Sequence, residues 1–396
     1  MKNGERKTAK RFDLPSRSSE FTKIVYGGKA EDGWAYYRKL NETVESFMPK
    51  DNPFNVYFGE LHGHSNLSDG MPDVDAYFLN IRDNAKLDFC ALTDHDHGGV
   101  AREELFGEKW ETTKNAVKKY YQPHKFTTIL GYERDSYPWY NNAVVYYNNH
   151  DAKMLRGQTD GEISREELRE YLNREDVIIV PHDTCFLSAG TDFLSLDLED
   201  MPPLIQVFSR GGYCERYDER FLTESAFFGG FWQDALKKGA KMGCIAASDD
   251  HIGCNGIIDE NKEYPYNFPG ITAVLAKENT VEAIFEALKN RRCYGVMYGK
   301  ILIDFRINEH FMGEEFSINK GEDRNIYFSV DADEEIKSVT LVKNCKDYIV
   351  FGSKAGKKQL IFDYTKENET DYYYLRVLLK DGRMAWTNPI WVKEQE

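Results

Sequence analysis

The stretch "NVYFGELHGHSNLSDG", residues 55–70, decides the fold. Its apolar first half, rich in aromatic and β-branched residues, reads as a strand ending at Leu61. His62 and His64 follow at once, and Asp69 stands five residues beyond the second histidine. In extended backbone, residues i and i+2 point the same way, so two imidazoles in a His-x-His pair can address one ion. The question is whether the strand end is a polar loop or the edge of a metal site.

The same pattern recurs along the chain. Apolar runs at "LDFCALT" (87–93), "FTTILGY" (126–132), "DVIIVP" (176–181), "PLIQVF" (203–208), "MGCIAAS" (242–248) and "ITAVLA" (271–276) read as strands buried on both faces. Helices fit between them: 72–86, with Val74, Tyr77, Phe78 and Ile81 on one face; 164–173, opening with a Ser-x-x-Glu capping box; and 280–290, capped by Thr280. Strands alternating with helices predict βα units and a mostly parallel sheet. An eighth run, "AVVYYN" (143–148), follows the third too closely for a crossover and predicts a hairpin, leaving seven barrel staves.

Polar clusters fall just after these runs: Asp94, His95, Asp96 and His97 after the second, Glu133 after the third, His182 and Asp183 after the fourth, and Asp249 and His251 after the sixth. Six of the nine histidines lie at such ends. In a (β/α) barrel the C-terminal strand ends converge on one face, so residues up to 190 positions apart would meet there. An imidazole and carboxylate set suits Zn, Mn or Fe.

Composition agrees with this class. Of 396 residues, 41% are hydrophobic and 14% aromatic, enough for a large core, and no apolar run approaches membrane-helix length. A net charge of −15 disfavours nucleic acid as a partner. The seven cysteines form no Cys-x-x-Cys pair and read as reduced thiols, and the charged start "MKNGERKTAKRFDLP" has no secretory pattern, so the cytoplasm is expected. Residues 1–53, with a helix over 31–49, read as a packing extension, and 54–298 as the barrel. After about 298 alternating strands such as "KILIDFRI", "KSVTLVKN" and "AWTNPIWV" predict a β-sandwich over 299–396.

The motifs "ELHGHSNLSDG", "ALTDHDHGG", "GYE", "VPHD" and "ASDDH" resemble, in order, those of the PHP (polymerase and histidinol phosphatase) superfamily. The stretch from "RRCYGVMYGK" to "DGRMAWTNPIWV" is similar to its CehA/McbA-type branch. The resemblance implies a distorted seven-stranded barrel with a C-terminal β-domain, holding two or three divalent ions (Zn, Mn or Fe). It implies that His62, His64, Glu133 and Asp249 hold one ion, that Glu133 bridges to a second bound by His182, and that Asp69, His95 and His251 hold a third. The family pattern has a further histidine soon after the bridging Glu. Here that segment is "YNNAVVYY" (140–147), with Asn141 or Asn142 in its place, and His150 at the far end of a strand, about 20 Å away at about 3.3 Å per residue.

The expected function is therefore a metal-dependent hydrolase in which a hydroxide between ions attacks a phosphomonoester or phosphodiester, with Asp249 as proton shuttle and Glu133 as the second catalytic group. The branch resemblance offers a carboxylic ester, carbamate or amide instead. A binding protein that keeps metal without strong catalysis is the alternative of another class. The partner is a small, anionic molecule, with Arg210 and His97 as the residues to grip it; Arg134, Arg292 and Tyr294 are weaker candidates of that kind. Asp69 could alternatively cap the helix that starts near Pro72.

Overall fold

Apolar runs too short for helices and flanked by turn residues become strands throughout. The computed structural model describes residues 22–26, 50–96, 107–135, 140, 142–155, 164–188, 190–218, 225–352, 359–363 and 365–395. The expected helix over 31–49, His97 and Asn141 lie outside the described residues. The strands are β1 (Thr22–Tyr26), β2 (Asn55–Glu60), β3 (Phe89–Leu92), β4 (Thr127–Asp135), β5 (Asn142–Tyr147), β6 (Val177–Pro181), β7 (Leu204–Phe208), β8 (Gly243–Ala246), β9 (Ile271–Ala276) and β10 (Cys293–Val296). There follow β11 (Leu302–Ile307), β12 (His310–Phe311), β13 (Glu315–Ile318), β14 (Arg324–Asp331), β15 (Ile336–Lys343), β16 (Lys346–Phe351), β17 (Gln359–Asp363), β18 (Thr370–Leu379), β19 (Met384–Thr387) and β20 (Ile390–Glu394).

Two units divide the chain, and one comprises Asn52–Lys300 with Asp381–Asn388. Its sheet runs β19-β10-β9-β2-β3-β4-β5-β6, and β7 pairs with β8. Ladders β2–β3, β3–β4 and β7–β8 are parallel, and β5 forms the expected antiparallel hairpin with β4. The sheet is less parallel than expected, because β9 runs antiparallel to both β2 and β10. Residues 249–270, which lead into β9, contain no helix, and a strand reached without a helical crossover is free to reverse direction. Phe89, Ile129, Val144, Ile178, Leu204, Ile245 and Val274 share one buried cluster. With so many strands buried on both faces, the polar ends of the strands are where water and ligands can reach.

Five α-helices are described in this unit: α1 (Val74–Leu79), α2 (Glu108–Tyr120), α3 (Arg165–Asn173), α4 (Trp232–Lys238) and α5 (Val281–Lys289). Helix α1 continues as a π turn over Asn80–Asn84 and buries Tyr77, Phe78 and Ile81. Its cap is Asp73, whose side chain accepts from the Ala76 amide at 2.7 Å, so Asp69 is not needed there. Ser164 forms the expected capping box on α3, and Thr280 caps α5.

The C-terminal run "AWTNPIWV" is not one strand. It breaks between β19 and β20 at Asn388–Pro389, since Pro389 has no N–H for a ladder. The segment 381–388 belongs to the first unit: the Trp386 indole donates to Glu215 Oε2 at 2.8 Å, and Asn388 accepts from the Cys244 amide on β8 and donates to the Arg291 carbonyl at 3.0 Å. Strand β8 carries the "ASDDH" cluster, so this segment fixes one edge of the site.

The other unit contains 301–380 and 389–395 with β1. Its strands form the orders β1-β17-β14-β11-β12 and β13-β20-β18-β15-β16. A buried polar group crosses it: Lys343 donates to Asp363 Oδ2 at 2.9 Å, and the Tyr373 hydroxyl donates to the same oxygen at 2.8 Å. Among the described residues no helix is long and apolar enough to cross a membrane.

Trp386 is fully buried, so Trp386→Ala is expected to lower the unfolding free energy by about 3–5 kcal/mol. Denaturant titration followed by circular dichroism measures this; an unchanged midpoint would show that 381–388 does not support the first unit.

Candidate metal centre

The flagged clusters lie just beyond strand ends except Glu133, which was expected after its strand but sits inside β4, because the hairpin pairing with β5 extends that strand to Asp135. His62 and His64 follow β2, and the glycine between them is required: a Cβ on Gly63 would meet Asn255 Nδ2 at 2.0 Å. The Gly63 amide donates to Thr93 Oγ1 at 3.0 Å, which ties this end to that of β3. His95, past β3, forms an isolated parallel bridge with Glu133 within β4. The loop holding Asp69 is fixed by buried Asp94, which accepts from the Ser65 amide and hydroxyl, both at 2.7 Å, and from the Ser68 hydroxyl at 2.6 Å. Asp183 and Asp249 both adopt left-handed backbone, with φ of 50° and 54°.

These side chains meet in three groups, each with ligand atoms within 4.8 Å of one another: His62, His64, Glu133 and Asp249; His64, Asp69, His95 and His251; and His182, Asp183 and Asp249. Thus all eight residues singled out as ligands come together, and Asp183 joins them. Glu133 sits between two sets of imidazoles. Its Oε2 lies 2.9 Å from His62 Nε2, 3.1 Å from His64 Nε2 and 3.5 Å from His95 Nδ1, while its Oε1 lies 2.6 Å from His182 Nε2. Asp69 Oδ1 lies 3.3 Å from His251 Nε2 and 3.6 Å from His95 Nε2.

The donor chemistry fits a cation. His62 Nδ1 faces Gln206 Oε1 at 3.0 Å, and a proton on Nδ1 makes that contact a hydrogen bond. The Nε2 lone pair then faces carboxylate oxygens of Glu133 at 2.9 Å and Asp249 at 3.4 Å. Lone pair against carboxylate is repulsive unless a cation or a proton lies between them. A histidine that donates through its outer nitrogen while its inner nitrogen faces carboxylates is the arrangement of a metal ligand.

Electrostatics carry the same message. Burial alone would raise the Glu133 carboxyl, yet His182 and His62 hold it well below its ordinary value. Asp249, half-buried, is held far below the carboxylate range by His62 and His64. Burial works against a charged imidazole at His64 and His182, but hydrogen bonds donated to Asp249 and Glu133 raise His64, and the charge of Glu133 raises His182, each well above the usual histidine value. His251 is lowered by burial and by His64. Beneath the site, burial pushes the Glu60 carboxyl up to about 7, while its oxygens accept from the Ser248 amide and hydroxyl and from the His62 amide.

Not every expected residue reaches the centre. Arg210 is buried and its terminal nitrogens are engaged with Asp250 and with the carbonyls of Cys254 and Ile257, so its guanidinium supports the 250–257 loop rather than facing a substrate. Arg134 pairs with Asp96 at 3.1 Å, both buried. Arg292 lies over the Phe54 ring and bonds Glu286, and Tyr294 is buried against Phe58. His150 faces the Thr128 carbonyl at 2.8 Å, near the opposite end of β4 from Glu133. His124 pairs with Glu278 and His310 with Glu314, and neither belongs to the three groups. Sequence reasoning missed the parts of Asp183 and Gln206. The signal for Gln206 was present: it is a lone polar residue in an otherwise apolar, fully buried strand.

A family model described as a protein of unknown function (DUF3604) matches residues 76–209. An uncharacterised protein of Chlamydia pneumoniae is 23% identical over 365 residues, covering 86% of this chain and 58% of that one. One of Chlamydia trachomatis serovar D is 23% identical over 363 residues, covering 85% and 57%. This chain therefore spans 57–58% of the length of these two relatives. Among solved structures, a two-domain protein of Bacteroides vulgatus ATCC 8482 containing a predicted PHP-like metal-dependent phosphoesterase is similar at TM-score 0.46 and 16% identity, covering 86% of this chain and 97% of that one.

Ligation requires neutral imidazoles, whereas the carboxylates beside His64 and His182 favour their protonated forms. Binding of Zn or Mn is therefore expected to release protons, and affinity to rise with pH as the competing protons leave. Calorimetry in two buffers of different ionisation enthalpy reads the release directly; no release would mean that these imidazoles are not displaced from their protons.

Proposed function

We propose that this chain is a metal-dependent hydrolase of the PHP type, its first unit a distorted (β/α) barrel and its C-terminal strands a β-sandwich, acting in the cytoplasm on a small-molecule phosphoester. The observation that carries it is Glu133: a buried carboxylate with one oxygen toward His62, His64 and His95 and the other toward His182. Such a carboxylate can bridge two cations, and dense imidazole and carboxylate groups at strand ends are costly to bury for structure alone.

Ions held there would supply Lewis acidity toward the scissile bond and lower the pKa of water toward about 7. The protein's own groups then have distinct tasks. Gln206 orients His62 through Nδ1, which keeps Nε2 directed at the centre. Asp249, with its side chain 16% exposed, is placed to accept a proton at Oδ1. Its neighbour Asp250, through the ion pair with Arg210 and bonds from the Ile252 and Cys254 amides, holds the loop that carries both Asp249 and His251.

A second reading, hydrolysis of a neutral ester, carbamate or amide, is favoured by one feature. Arg210, the expected grip for an anionic group, is committed to Asp250, whereas Met71 and Ile252 stand exposed beside the ligand groups, the Met71 amide bonding the His251 carbonyl at 2.7 Å. Apolar side chains at the rim suit an apolar ester better than a phosphate.

Turnover of p-nitrophenyl phosphate, bis-p-nitrophenyl phosphate and p-nitrophenyl acetate with added Mn or Zn separates the two readings. Metal-dependent turnover of a phosphate ester is expected, with Glu133→Gln lowering kcat by about a hundredfold or more, equivalent to a loss of several kcal/mol. Turnover of the acetate alone would favour the second reading. Bound metal without turnover of any of the three would favour a binding protein.

A further inference from the structure

We propose that Asp183, with His182 and Asp249, completes the site of a second divalent ion, replacing the histidine that the 140–147 segment lacks. This rests on the metal-centre reading above and specifies how its second site is built.

The substitution is forced by what the hairpin provides. Asn142, half-buried, lies opposite Asp135, two residues beyond Glu133, and its carbonyl accepts the His182 amide at 3.3 Å. It therefore positions His182 through the backbone. His150 is held at the other end of β4. Glu133 Oε1 lies 2.6 Å from His182 Nε2, and one ligand atom each of His182, Asp183 and Asp249 lie within 4.8 Å of one another. His182 is 2% exposed, and its Nδ1 is a buried polar atom with no hydrogen-bond partner, 3.7 Å from Asp183 Oδ2. Both faces of this imidazole thus look onto carboxylates, Glu133 on one side and Asp183 on the other.

Asp183 is built into this place from the chain outward. Its φ of 50° is a conformation that Asp and Asn tolerate better than other side chains, and it sits immediately after β6 and His182. The Ser209 hydroxyl donates to Oδ1 at 3.3 Å from the loop after β7. Gly211 in the same loop leaves room for the carboxylate: a Cβ there would stand 2.9 Å from Oδ2 and 3.1 Å from Oδ1. A carboxylate offers about four acceptor sites, so one serine leaves capacity for an ion. One imidazole with the carboxylates of Asp183 and Asp249 is a harder donor set than the first group with its two histidines, and suits Mn(II).

The test is the number of Mn(II) ions per chain, measured by elemental analysis after equilibrium dialysis of the full chain. The wild type is expected to hold two or more. Asp183→Asn, which keeps the backbone preference and removes the charge, is expected to lose one equivalent or to bind it more than tenfold more weakly. Gly211→Ala, which crowds the carboxylate without removing it, is expected to weaken the same equivalent. If the wild type holds two or more ions and both variants match it in number and affinity, Asp183 is not a ligand while the metal centre stands. If the folded wild type holds less than one ion, the metal centre itself falls, and this assignment with it.

Discussion

Glu133 is a fully buried carboxylate, and the cost of placing its charge away from water organises the rest of the structure. Four imidazoles from three other strand ends converge on its two oxygens, and each must be carried there by its own piece of backbone. The His-Gly-His turn, the His95–Glu133 bridge and the His182 amide held by Asn142 are local solutions to that single requirement. The Glu133 charge in turn favours protons on His64 and His182.

A second layer of buried polar residues keeps the first from collapsing onto itself. Glu60 ties Ser248 to the His62 amide, Asp94 fixes the loop of Asp69, and Gln206 orients His62. Arg210 and Asp250 brace the loop of His251. These are internal contacts, so changes at such positions would act on geometry before they act on chemistry. The 381–388 segment extends the support to β8 through Asn388 and Trp386.

Much of this was legible in the sequence because the strands that carry the site are buried on both faces and read as continuous apolar runs. Their ends could therefore be located, and His62, His64, His95, His182, Asp249 and His251 beyond them could be grouped with Glu133, which lies inside β4 rather than after it. Three kinds of feature were not legible. Strand direction at β9 depends on a helix-free connection rather than on periodicity. Arg210 looked like an anion grip because a sequence cannot show that Asp250 claims it. Asp183 stood next to a flagged histidine, but only its positive φ and the glycine at 211 turn its carboxylate toward the centre.

The central claim is that these side chains form one centre for divalent cations rather than a cluster of imidazolium–carboxylate pairs. Anomalous scattering at the Mn or Zn absorption edge, from crystals grown with that metal, locates ions directly. Peaks between Glu133 and both His62–His64 and His182, at ligand distances of about 2.0–2.2 Å, are the expected result. Well-ordered side chains in the same positions with no anomalous peak at saturating metal would contradict it.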